Sequence, residues 1–167
     1  MNQLNIRRYG TGDIKLVAIH GLGSASSAWD LVKPELQKHF EFITLDLPGH
    51  GHAKLRADES MSPVHISKLI MQELQAIGIN QFHLIGNSLG GWIALEMAAA
   101  FPQNILSVTG VAPAGLWLTP KTHRNGELAI SRYLAKLTYR LATPISKIKS
   151  LRALGFKLVS PQWEKFS

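Results

Sequence analysis

The stretch Phe82-His83-Leu84-Ile85-Gly86-Asn87-Ser88-Leu89-Gly90-Gly91-Trp92 leaves this chain few ways to fold. It reads as an apolar strand, a sharp turn and the start of a helix. A strand that turns straight into a helix puts the residue at the apex on exposed, strained backbone. Gly86 and Gly90, two residues to either side of Ser88, suit such a turn because side chains there would collide where strand meets helix. Three fixed residues are not specific by themselves, so the pattern takes its weight from its surroundings.

Those surroundings alternate. Residues 4–9 read as a short strand turned at Gly10-Thr11-Gly12-Asp13, and Lys15-Leu16-Val17-Ala18-Ile19 as a buried strand. A helix is expected from Ser26 or Ser27 to about His39, with Trp29, Val32, Leu36 and Phe40 on one face. Pro34 lies inside it and favours a start near Lys33 or a kink. A strand follows at 42–46, then the turn-rich Leu47-Pro48-Gly49-His50-Gly51-His52. Next come a helix capped by Ser62 with Pro63 at its first position, running to about Ile77, the strand at Phe82, a helix over 89–100 and a buried strand over 105–112. The Ser62 helix would bury Ile66, Leu69, Ile70, Leu74 and Ile77. Strands separated by helices of this length imply a mostly parallel sheet with helices on both faces, a three-layer α/β architecture.

Composition narrows the function classes. The 167 residues include no cysteine, which excludes disulfides, thiolate metal sites and a catalytic thiol. The first residues lack the charged and then apolar run of a signal peptide, and no segment reaches the ~18 apolar residues of a membrane span. A cytoplasmic protein without stable membrane insertion is therefore expected. Net charge is +7, but residues 1–120 carry 8 Lys or Arg against 9 Asp or Glu (8 − 9 = −1), and residues 121–167 carry 10 against 2 (10 − 2 = +8). The excess is confined to the C-terminal segment, which argues against a nucleic-acid binder.

In a sheet of this kind, functional groups collect on loops at the carboxyl ends of the strands. Three loops leave at that edge: His20-Gly21-Leu22-Gly23 with Trp29 downstream, Asp46-Leu47-Pro48-Gly49-His50-Gly51, and the turn at Ser88. In order and spacing they resemble the N-terminal part of an α/β-hydrolase-fold serine hydrolase, over residues 4 to about 115. The resemblance implies Ser88 as nucleophile forming an acyl-enzyme. It implies the backbone N–H groups of Leu22 and Leu89 as the oxyanion hole. Gly86, Asn87 and Gly90 would then form the nucleophile elbow, and His20 and Gly21 the scaffold of the oxyanion loop. It implies a small-molecule substrate, an ester, a thioester or a carbon–carbon bond next to a carbonyl, and no metal and no cofactor. Epoxide hydrolases and haloalkane dehalogenases, which use Asp at the nucleophile position, are excluded. Beside these roles, His50 and His52 read as a polar turn, Asp46 as a residue pinning the Pro48-Gly49 turn, and Trp29 and Trp92 as packing residues.

The family places its triad acid and histidine after the nucleophile, on later strand-end loops. After Ser88 this chain has no Asp; its only Glu residues there are Glu96, Glu127 and Glu164, and its only His is His123. His123 and Glu127 fall where family members insert a cap. Residues 127–141 and 146–159 carry basic amphipathic patterns suited to cap helices, so a hydrolase core over 1–120 followed by an incomplete helical cap over 121–167 is expected. The chain resembles a truncated hydrolase whose C-terminal strands are absent, leaving the strand at 105–112 with an open edge. Loss of the base in such triads costs on the order of 10⁶ in turnover, so little or no activity is expected unless an oligomer or a missing C-terminal segment completes the site. The alternative is a non-catalytic protein whose basic C-terminal segment binds a partner or a membrane surface.

Overall fold

The computed structural model describes residues 4–58 and 60–116, which fall within the compact unit Met1–Trp117. The expected cap helices at 127–141 and 146–159, with His123, Glu127 and Glu164, lie outside the described residues.

Five strands form one sheet: β1 (Asn5–Tyr9), β2 (Lys15–Ile19), β3 (Glu41–Asp46), β4 (Phe82–Asn87) and β5 (Ile105–Val111), in the order β1-β3-β2-β4-β5. β1 pairs antiparallel with β3; the other three pairings are parallel. Alternation along the strands sorts their side chains to two faces. Val17 and Ile19 of β2, Ile43 and Leu45 of β3 and Leu84 of β4 join one core with Ile66, Ile70, Met71 and Leu74 of α2 (Pro63–Ala76) and Ile93, Ala94 and Met97 of α3 (Leu89–Ala100). Leu16, Ala18 and Phe42 point the other way and bury Trp29.

The helices α2 and α3 follow from their sequences. Ser62 accepts the His65 N–H at 3.2 Å, Pro63 occupies the first turn, and Gly78 ends the helix at φ +81°. Ile66, Ile70 and Leu74 are fully buried, with Leu69 and Ile77 partly so. α3 is apolar around most of its circumference, consistent with its place against the sheet and α2.

Two expectations are corrected. Residues 26–39 do not form one helix: a 3₁₀ turn (Ser26–Trp29) is followed by a separate short α1 (Lys33–Leu36), which begins at Lys33 as Pro34 favours. Neither Ser26 nor Ser27 caps it, since Ala25 precedes the 3₁₀ turn without a side-chain bond. Pro34 lacks the N–H that a continuous helix needs there and sits in the first turn of α1 instead. Val32 is thereby turned out, 45% exposed, while Trp29, Leu36 and Phe40 keep to the core.

β5 is also not buried. It pairs with β4 from Ile105 to Val111 with a register shift near Phe82, yet no residue of it is fully buried, and Leu106 and Val111 are 55% and 43% exposed. Among the described residues nothing pairs with its outer edge. No helix among the described residues is long and apolar enough to cross a membrane.

Candidate functional site

The strand order reverses around β2, whose neighbours β3 and β4 follow it on opposite sides. The connections that leave the carboxyl ends of β2 and β4 therefore run to opposite sides of the sheet, the position at which sheets of this kind place their sites. His20 directly follows β2 and Ser88 directly follows β4.

Ser88 occupies φ 51°, ψ −112°, and is one of two non-glycine residues with positive φ among those described. Such backbone costs on the order of 1–3 kcal/mol and persists only where its surroundings hold it. They hold it on both sides of the residue. The Ser88 N–H donates to Val111 O at 3.0 Å, and Ser88 O accepts from Ala114 N–H at 2.9 Å and Trp92 N–H at 3.2 Å. Beyond β5, Ala112 is the other strained residue, at φ 44°. Pro113 then lies against Gly91, where an added Cβ would meet its Cβ at 2.7 Å. Trp92 packs under Gly115 and donates its indole N–H to Glu96 at 2.9 Å, in keeping with a packing role. The side chain of Ser88 is exposed, and no hydrogen bond to its hydroxyl occurs among the described residues.

The glycines have separate jobs. A Cβ on Gly86 would strike the Gly90 carbonyl, and one on Gly90 would strike the carbonyls of Ile19 and His20 at the end of β2. Gly86 lets β4 run under its own helix, whereas Gly90 lets that helix reach the neighbouring strand. Asn87 is exposed at the end of β4.

Gly21 brings the β2 loop to Ser88: a Cβ built there would lie 3.4 Å from Ser88 Cβ and from Asn87 O. The next residue, Leu22, is 76% exposed, and neither its N–H nor that of Leu89 has an acceptor among the described residues. Both amides expected to face an oxyanion thus have no acceptor among the described residues, on the two chain segments that meet at Ser88.

His20 is fully buried. Its Nδ1 donates to Gly21 O at 2.7 Å and its Nε2 accepts from Leu47 N–H at 3.0 Å, which fixes the tautomer. Burial lowers its pKa, with the Gly21 bond opposing, so the ring stays neutral. It ties the β2 loop to the β3 loop. His50 forms a second tie: Nε2 accepts from Gly23 N–H at 3.2 Å and Nδ1 donates to Pro48 O at 2.9 Å, its ring 5.2 Å from that of His20. Among the described residues no group of three or more His, Asp or Glu could hold a metal ion.

The expectation for Asp46 is corrected. Among the described residues its carboxylate makes no hydrogen bond to the Pro48-Gly49 turn, which is closed by His50 N–H on Leu47 O at 2.9 Å. Instead Oδ1 accepts from Ser26 N–H at 2.7 Å, and Oδ2 from Asn5 Nδ2 at 2.8 Å and His52 N–H at 3.0 Å. Burial works against the charged form, but the bonds from His52, Asn5 and Ser26 outweigh it and hold the carboxyl well below the usual carboxylate range. Gly51 is required beside it, since a Cβ there would strike the carboxylate.

The profile of the α/β hydrolase fold matches residues 15–159. Mouse monoacylglycerol lipase ABHD6 is 31% identical over 146 residues, 84% of this chain and 44% of the relative. The pimeloyl-[acyl-carrier protein] methyl ester esterase of Hamiltonella defensa is 29% identical over 154 residues, 90% of this chain and 57% of the relative. The crystal structure of a bacterial membrane phospholipase A superposes with a TM-score of 0.66 at 30% identity, covering 68% of this chain and 37% of that one. The chain spans about half the length of these curated relatives. A mostly parallel sheet reversing around β2, a strained serine between β4 and α3, and a profile match over most of the sequence together make this chain a member of the α/β hydrolase fold family.

Proposed function

We propose that Ser88 is the nucleophile of a serine hydrolase acting on carboxylic esters or thioesters through an acyl-enzyme. The single observation that carries this is the Ser88 backbone at φ 51°, ψ −112°, clamped between β4 and α3 with its side chain exposed. Attack of Oγ on a substrate carbonyl forms the Oγ–C bond and moves the carbonyl π electrons to oxygen. The N–H groups of Leu22 and Leu89, with the N-terminal end of α3, would stabilise that oxyanion. Collapse of the adduct expels the alcohol or thiol, and water then releases the acid. The lipase and esterase relatives support an ester. Exposed apolar side chains, Leu22, Leu55 and Leu116 on loops and Val111 at the carboxyl end of β5, support an apolar acyl group.

The proton on Ser88 Oγ needs a base. No described histidine bonds to Ser88, and Glu96, the one described acid after it, is engaged by Trp92. We therefore propose that this 167-residue chain hydrolyses substrate little or not at all until a base is supplied. A fluorophosphonate probe tests both parts. Slow labelling that imidazole in solution accelerates, and that Ser88→Ala abolishes, is the expected outcome. Labelling that persists in Ser88→Ala removes the nucleophile, and fast labelling without imidazole removes the claim of a missing base.

A further inference from the structure

We infer that His50 is a positioning residue for the amide of Leu22, holding the β2 loop at the height where that N–H meets an oxyanion on Ser88. The inference rests on the nucleophile reading of Ser88. The loop 21–24 leaves β2 as a turn closed by Ser24 N–H on Gly21 O at 3.2 Å, and Gly23 within it adopts φ +73°. A turn this short fixes the direction of the Leu22 amide only if the groups on either side of it are held. Gly21 O, before Leu22, is held by the His20 Nδ1–H. The Gly23 N–H, after Leu22, is held by His50 Nε2.

Both imidazoles are in turn anchored to consecutive residues of the β3 loop, His20 by the Leu47 N–H and His50 by the Pro48 carbonyl. Leu47 and Pro48 are buried, so that anchor is rigid. The Leu22 peptide is thus gripped by two rings in contact with each other. Leu22 itself contributes nothing to its own placement, because its side chain is 76% exposed. His20 is built into the core, where replacing it would disturb the fold. His50 is half-buried, and its two bonds lie on the loops alone. An oxyanion donor displaced by about 1 Å loses most of its effect, since catalysis of this kind depends on preorganised geometry.

The test compares His50→Phe and His50→Gln with the unaltered 167-residue chain, using the fluorophosphonate probe with imidazole as added base. Phenylalanine keeps a ring but removes the acceptor for Gly23, whereas glutamine returns an acceptor near the Nε2 position. Expected is a fall of at least about tenfold in the first-order labelling rate at saturating probe for His50→Phe, with half-saturation little changed and the thermal midpoint within a few degrees. His50→Gln should recover most of that rate. Equal rates in all three proteins, or a loss that glutamine does not restore, overturns the positioning role while Ser88 stands. An unaltered chain that takes no label at Ser88 overturns the nucleophile reading, and this inference falls with it.

Discussion

β2 and β5 are both parallel strands bonded to β4, and they live in different surroundings. Val17, Ala18 and Ile19 of β2 are fully buried, with β3 on one side, β4 on the other and side chains packed on both faces. β5 has a partner on one side only among the described residues, and Ser107 and Thr109 point to an exposed face. Backbone pairing therefore does not decide burial; neighbours on the faces and edges do. The difference teaches where the site draws its rigidity. From β2 comes a wall that tolerates no added atom, at Gly90, and from β5 and the turn after it come the hydrogen bonds of Val111 O and Ala114 N–H with Ser88 and the approach of Pro113 to Gly91.

Substitutions should separate the two strands. The largest effect is expected for Gly90→Val, which drives a side chain into the carbonyls ending β2. It should destabilise by about 3 kcal/mol or more in urea unfolding, enough to prevent folding of a marginal domain. Ile43→Ala, which empties a fully buried position in β3 beside β2, should cost about 3 kcal/mol. Asp46→Asn should cost about 2 kcal/mol at neutral pH, because an amide cannot accept from all three donors. The Asp46 carboxyl is held below its ordinary value in the fold, so the unfolded chain binds its proton first as pH falls. Its contribution is complete above the unfolded value of about 4 and declines as pH drops further toward the folded value, so the gap between wild type and Asp46→Asn should narrow below about pH 4. Leu106→Ser on β5 should change stability by no more than about 0.5 kcal/mol. A cost there near that of Ile43→Ala would mean that β5 is covered.

The sheet was legible because β2, β3 and β4 are short apolar runs bounded by turns, α2 carries a cap, a proline and a following glycine at the positions that delimit a helix, and Pro102 follows the end of α3. The strained turn at Ser88 was legible for the same local reason. Residues 26–39 misled because helical spacing of Trp29, Leu36 and Phe40 survives a break at Pro34, and both arrangements bring those three to one face. Burial of β5 could not be read from its own apolar residues, since it depends on what lies beside it. Least legible were the bonds between loops: Asn5 and Ser26 reach Asp46 from 41 and 20 residues away, and Gly23 reaches His50 from 27. Such bonds follow no periodicity, and only the sheet order brings their partners together. Their sole signal in the sequence is the crowding of His, Asp and Gly on the loops of one edge.

The central claim is that Ser88, Leu22 and Leu89 form one site. Amide NMR of the chain after complete reaction with a fluorophosphonate tests it most directly. A single adduct on Ser88 and downfield shifts of both the Leu22 and Leu89 amide protons, as they bond the phosphonyl oxygen, are expected. An adduct on another residue, or one on Ser88 that leaves both amides unmoved, would contradict it.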